Sequence, residues 1–181
     1  MPSGRFLPDH DFAPAPAGAR VRLVTLLSFA GVLVLATAIP LITLRTHRPP
    51  PWPVFAGLYV APVIAVAAWL TARIRRYRLA SAELQVHLPF RVVRFPLAGL
   101  QDAAPDREAL RGAWKRVGND GLGAISGRFQ SRRLGRFHAY VTDGERAVVL
   151  RWPDRCLVVS PDQPAWFVET VRRHAGLTSP R

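Results

Sequence analysis

Four arginines within nine residues, Arg128, Arg132, Arg133 and Arg136, are interleaved with Phe129 and Phe137. Guanidinium groups grip phosphates and carboxylates with paired N–H donors, and neighbouring aromatics add a stacking surface. This set is the main candidate for contact with an anionic lipid or partner. No nucleic-acid recognition motif accompanies it, so a basic loop facing lipid or an acidic protein is preferred over a nucleic-acid reader. Other chemistry is weakly represented. Gly121-x-Gly123 with Gly127 resembles a nucleotide fingerprint, but the third glycine is one position late and no helical pattern follows. Glycines at strand bends explain it better. Cys156 and His138 suggest a nucleophile and base, yet Cys156 lies in an apolar strand pattern with Leu157, Val158 and Val159, which makes it a buried, inert thiol. His10 between Asp9 and Asp11 lacks a fourth ligand for a metal. No phosphate-loop, zinc-protease or Gly-x-Ser-x-Gly word occurs. The expectation is a non-enzyme with no cofactor, no metal and no catalytic residue.

The elements around these residues are dominated by two apolar runs, residues 23–44 and 52–72, neither containing Asp, Glu, Lys or Arg. Each is about the length a helix needs to cross a hydrocarbon core of about 30 Å. Core helices usually carry charge on one face, and these carry none. The reading is a transmembrane helical hairpin with spans at 21–45 and 52–73 and a short external loop at 46–51. No ionisable group lies inside either run, which argues against a pump or transporter. Arg20 and Arg22 precede the first run, and the juxtamembrane set Arg73, Arg75, Arg76 and Arg78 follows the second; the joint has Arg45 and Arg48. Six basic residues against two place both termini in the cytoplasm and the hairpin in the cell membrane. Ala36-Thr37-Ala38 resembles a signal-peptide cleavage site, but the apolar run continues past it to Leu44, so an uncleaved span is expected. Gly31 and Gly57 suggest a small-residue contact face between helices, or between copies in a homo-oligomer.

The formal net charge is +13, and Lys115 is the one lysine. Such a balance favours anionic partners: lipid head groups, acidic proteins or nucleic acid. The single cysteine rules out an intramolecular disulfide. Residues 1–20, rich in Pro, Ala and Gly, read as a disordered tail, and residues 176–181 as a short tail. Between them, about seven short strands are expected, at 83–88, 90–97, 113–117, 122–129, 137–141, 147–152 and 156–159. Residues 102–112 read as a loop or a helical turn, and Asn119-Asp120-Gly121 as a turn. A C-terminal amphipathic helix follows, capped by Ser160 or Asp162, with Trp166, Phe167 and Val171 on one side and Arg172, Arg173 and His174 at its end.

Seven strands and a C-terminal helix resemble the pleckstrin-homology superfold. The words are similar to those of the bacterial pleckstrin-homology domain family found behind membrane hairpins. They are Tyr77-Arg78-Leu79, Leu84, Phe95-Pro96-Leu97, Gly121-Leu122-Gly123, Gly127-Arg128-Phe129, Leu134-Gly135-Arg136-Phe137, Tyr140-Val141-Thr142, Val158-Val159-Ser160-Pro161-Asp162 and Phe167-Val168. The resemblance covers residues 75–175. It implies a mainly β, α+β domain: a pleckstrin-homology-like barrel capped by the helix and associated with a membrane. Lipid-binding relatives of this fold place basic residues around the first hairpin. Residues 78–83 lack that pattern, so phosphoinositide recognition is not implied. The expected role is a membrane-held, non-catalytic interaction or scaffold module with a protein partner. The alternative is a module that senses anionic head groups at the inner leaflet.

Overall fold

The computed structural model describes residues 8–46, 51–80 and 82–177. Part of the expected external joint and the extreme termini lie outside these residues. Two long helices come first, α1 (Ala19–Thr46) and α2 (Trp52–Ala72). Both are long and apolar enough to cross a membrane, and none of either apolar window is buried by the protein. Leu26, Leu44 and Val63, for instance, are largely exposed. At their domain-side ends the helices touch, with Phe29 edge-on to Trp69 at 6.2 Å between ring centres. Gly31 and Gly57 are not part of that contact, because a Cβ at either would meet nothing within 4 Å.

The β domain departs from the expected seven-stranded barrel. Among the described residues there are ten strands in two sheets, with order β1-β2-β3-β4 and β5-β9-β10-β8-β7-β6. The first sheet holds β1 (His10–Phe12), β2 (Arg76–Ala80), β3 (Glu83–His87) and β4 (Val92–Pro96). The second holds β5 (Asp102–Pro105), β6 (Trp114–Asp120), β7 (Ile125–Ser131), β8 (Gly135–Val141), β9 (Val148–Arg151) and β10 (Cys156–Val159). No ladder joins the two sheets among the described residues, so the barrel is not closed. Pro96 and Pro105 end the edge strands β4 and β5, and proline has no N–H to extend a ladder.

Three strands, β1, β2 and β5, lie outside the seven expected ranges. β2 is short and follows α2 with only three residues between. β5 falls in a stretch read as a loop because Asp102-Ala103-Ala104-Pro105 has little strand propensity; pairing to β9, from Asp102↔Arg151 to Pro105↔Val148, makes it a strand. β1 lies in the expected disordered tail. It pairs antiparallel to β2, with His10↔Leu79 and Phe12↔Tyr77. The segment then runs on with Ala15 N–H donating to the Ser160 carbonyl and Gly18 N–H to the Thr142 carbonyl. Phe12 is buried against Phe167 and Trp166, at 5.0 and 4.6 Å between rings. The domain therefore takes its first strand from ahead of both helices.

The main core lies between the sheets. Tyr77, Leu79, Leu84, Val86 and Phe95 meet Tyr140, Val148, Leu150, Leu157 and Val159. Helix α3 (Pro164–His174) plugs this core with Phe167, Val168 and Val171. Its start has no side-chain cap. Ser160 instead accepts from Thr142 N–H at 2.8 Å, and Asp162 pairs with Arg146. Tyr77 ties the sheets together: its hydroxyl donates to the Tyr140 carbonyl at 2.8 Å and accepts from Ser160 N–H at 3.3 Å. Burial pushes its pKa up to about 12, opposed by the Ser160 hydrogen bonds.

A second core covers the other face of the six-stranded sheet. Ile125, Phe129, Phe137, Ala139, Val141 and Val158 pack there under Ala109 and under Val21 of α1. The β6–β7 hairpin tip extends this contact along the helices. Thr25 Oγ1 donates to the Gly121 carbonyl at 3.3 Å and accepts from Gly123 N–H at 3.0 Å. Arg20 pairs with Asp120 at 2.8 Å. A Cβ on Gly121 would lie 3.1 Å from Val24, and one on Gly123, at φ +77°, 3.0 Å from Trp69. Gly121 and Gly123 let a turn seat against two helices, while Gly127, at φ +131° within β7, lies too close to the backbone of β6 for a Cβ, the strand-distortion role expected of it.

Candidate functional site

The cationic site is built by cross-strand register. On β7 and β8, Arg128 stands opposite His138, and Gln130 opposite Arg136. Directly paired residues share a face, and alternation sends Phe129 and Phe137 to the buried one. A register shift between Lys115 and Val117 marks β6, where Arg116 donates to Gln130 Oε1 at 3.0 Å. Arg155 precedes β10 with its guanidinium 5.2 Å over the Trp152 ring. A cleft of about 450 Å³ is lined by Arg116, Arg128, Arg136, His138, Arg155 and Cys156, with Asp154 as its one carboxylate. Asp154 lies 3.8 Å from Arg155. Among the described residues, Arg128 and Arg136 form no ion pair.

The expected four-arginine set is therefore divided. Arg128 and Arg136 enter the cleft. Arg132 and Arg133 lie at the β7–β8 turn, in a separate groove of about 410 Å³ with Glu108, Arg111 and Trp114. Arg133 is engaged by Asp106 at 2.5 Å. Arg116 and Arg155 replace them in the cleft, and sequence proximity gave no hint of either. Arg116 arrives through the β6–β7 register and its bulge; Arg155 arrives through the parallel pairing of β10 with β8. The juxtamembrane set is also partly engaged. Arg73 stacks on Trp69 at 4.7 Å, Arg76 lies 3.5 Å from Asp11, and Arg78 lies 2.8 Å from Asp9.

The cleft's electrostatics suit anion capture and oppose nucleophilic chemistry. His138 is held below the usual imidazole range, first by burial and then by Arg128 and Arg155. The Cys156 thiol is pushed up, first by burial, with Asp106 adding and Arg151 opposing. His138 stands opposite Leu157, so strand alternation sends Cys156 to the other face of the sheet, and a depressed imidazole and a raised thiol are the reverse of an activated pair. Among the described residues no three His, Cys, Asp or Glu side chains converge to hold a metal ion. Excess guanidinium over carboxylate is an arrangement for binding carboxylate or phosphate.

Residues 75–175, more than half of the chain, match the family described as Bacterial PH domain. The chain belongs to this family. No curated protein and no solved structure matches it. PH domains are generally non-catalytic interaction modules that bind lipids or proteins, and no enzyme family is indicated. The PH match begins at Arg75 and so omits β1, the strand that the N-terminal segment adds to the domain.

Proposed function

We propose that this PH protein is an integral membrane protein whose two N-terminal helices anchor it, and whose domain is a cytoplasmic interaction or scaffold module for a protein partner. The partner presents an acidic segment to the cleft holding Arg128 and Arg136, with Arg132 and Arg133 as flanking contacts. The carrying observation is the excess of guanidinium groups over one carboxylate in that cleft. Same-side placement of the termini is supported by β1, which precedes α1 yet pairs with β2 beyond α2. An even number of crossings satisfies that pairing, and the Arg distribution favours the cytoplasmic side. The same pairing favours an uncleaved first span, because cleavage after Ala38 would sever β1 from the chain.

Direct reading of anionic head groups by the same arginines is the alternative, and the hairpin geometry disfavours it. The β6–β7 tip contacts the helices, whereas Arg132, Arg133 and Arg136 lie toward the opposite end of β7. Six residue steps along β7 span about 20 Å. The test is mild-detergent purification of the full-length protein from its own membrane after cross-linking, comparing the parent with Arg128→Glu/Arg136→Glu. The parent is expected to bring a stoichiometric protein partner. Each reversal should weaken capture about tenfold or more, the scale of a charge-assisted hydrogen bond in a partly dehydrated cleft. Undiminished capture by a well-folded variant would remove the cleft. Recovery of anionic lipid alone, lost at high salt, would establish the alternative.

A further inference from the structure

The β3–β4 turn lies at the same end of the domain as the helices. Arg76, near the start of β2, pairs with His87 at the end of β3, so the turn at 88–91 returns towards the end of α2. Leu88 is buried and its N–H donates to the Arg91 carbonyl at 2.9 Å, which closes the turn; Pro89 restrains its backbone. Phe90 stands at the apex with 81% of its surface exposed, beside half-exposed Val92. A cavity of about 540 Å³ is lined jointly by Leu88, Phe90 and Arg91 and by Ala68, Thr71 and Ala72 of α2. An adjoining groove of about 700 Å³ adds Arg75 and Arg76 to the same rim.

We infer that the β3–β4 turn is a membrane contact in its own right: Phe90 enters the bilayer interface beside α2, with Arg75, Arg76 and Arg91 at the level of the phospholipid phosphates. The inference rests on reading α1 and α2 as spans. α2 has 21 residues, about 32 Å of helix, so its last turn lies where hydrocarbon gives way to head groups. Residues sharing a cavity with Ala68, Thr71 and Ala72 lie at that depth. An exposed aromatic apex ringed by arginines matches that layer, where rings sit among the carbonyls and cations meet phosphate. The surface is a turn of the four-stranded sheet at the helix end, whereas the Arg132–Arg133 turn belongs to the other sheet and lies away from its helix-contacting hairpin tip, so the two contacts do not compete.

Phe90→p-benzoylphenylalanine in the full-length protein, reconstituted in vesicles of phosphatidylethanolamine and phosphatidylglycerol, tests this by photocross-linking to lipid. The same replacement at Val63 reports the middle of α2, and at Trp114 the far end of edge strand β6. All three positions are exposed, so the analogue disturbs little packing. Lipid adducts are expected at 63 and 90, with about tenfold more at 90 than at 114, a ratio that burying even half of a Phe side chain sustains. Adducts at 63 but not at 90 overturn the inference and leave the anchor standing. No adduct at 63 overturns the anchor, and the inference with it. Equal adducts at 90 and 114 place the whole domain flat on lipid and overturn the specific role of the turn.

Discussion

The two ends of the β6–β7–β8 sheet carry similar residue types and put them to opposite use. At the helix end, several charges are paired. Arg20 meets Asp120, and in the four-stranded sheet Arg76 meets Asp11 and Arg78 meets Asp9. Glycines let the hairpin tip approach Val24 and Trp69. Along the cleft and toward the far turn, arginines outnumber the acids available: Arg128 and Arg136 have no ion-pair partner among the described residues, and Arg155 has a distant Asp154. A count of arginines does not separate these regions. Exposed ion pairs contribute little stability, so pairing at the helix end chiefly fixes how the domain sits, while the cleft carries an excess of cation.

The contrast breaks most visibly at the helix end. Gly123→Val places a branched side chain at φ +77° and about 3 Å from Trp69. Strain and overpacking together should cost about 2–4 kcal/mol, read as a lower thermal midpoint in detergent and faster proteolysis at the β6–β7 tip. Arg128→Glu at the cleft should leave both unchanged. Should Gly123→Val behave like parent, the seat of the domain on the helices is not tight.

Tyr77→Phe tests the link between sheets. It leaves the Tyr140 carbonyl and Ser160 N–H without their hydroxyl partner in the core. The expected cost is about 1–2 kcal/mol, measured by denaturant midpoint, with cleft binding retained. Loss of binding with unchanged stability would mean that the sheets hold together without Tyr77 and that it serves the cleft.

The smallest effect is a pH slope. His138 has a folded pKa below its usual 6.5. The unfolded chain therefore takes up the proton first as pH falls, so this contribution is complete above about pH 6.5 and is lost as pH drops toward the folded pKa. His138→Gln should flatten that part of the stability profile. His87, held low first by burial and then by Arg76, adds a slope of the same sign. An anion in the cleft would raise the His138 pKa, so partner binding should tighten on acidification in the parent and not in His138→Gln. Equal pH dependence of binding in both would take His138 out of the contact.

Much of this architecture was legible because its signals are local. Two charge-free runs of spanning length, alternating strands such as 83–88, and the apolar stripe of α3 each need only their own residues to be read. The family words rest on the same residues, Tyr77 among them. Of the four candidate arginines, Arg128 and Arg136 line the cleft, whereas Arg132 and Arg133 sit in the β7–β8 turn itself and line a separate groove, a division that only the strand register makes visible.

Sequence alone determined the anchor-like helices, the positive charge and the type of domain. Each follows from composition and short-range periodicity, where side-chain hydration decides the outcome. Tertiary structure decided the rest: that residues 10–12 complete a sheet on the far side of two helices, that Asp102–Pro105 is a strand, that the sheets do not close into a barrel, and that Arg116 and Arg155 join Arg128. Those outcomes depend on hydrogen bonds and register between segments distant in the chain, and no local pattern carries the free energy that selects them.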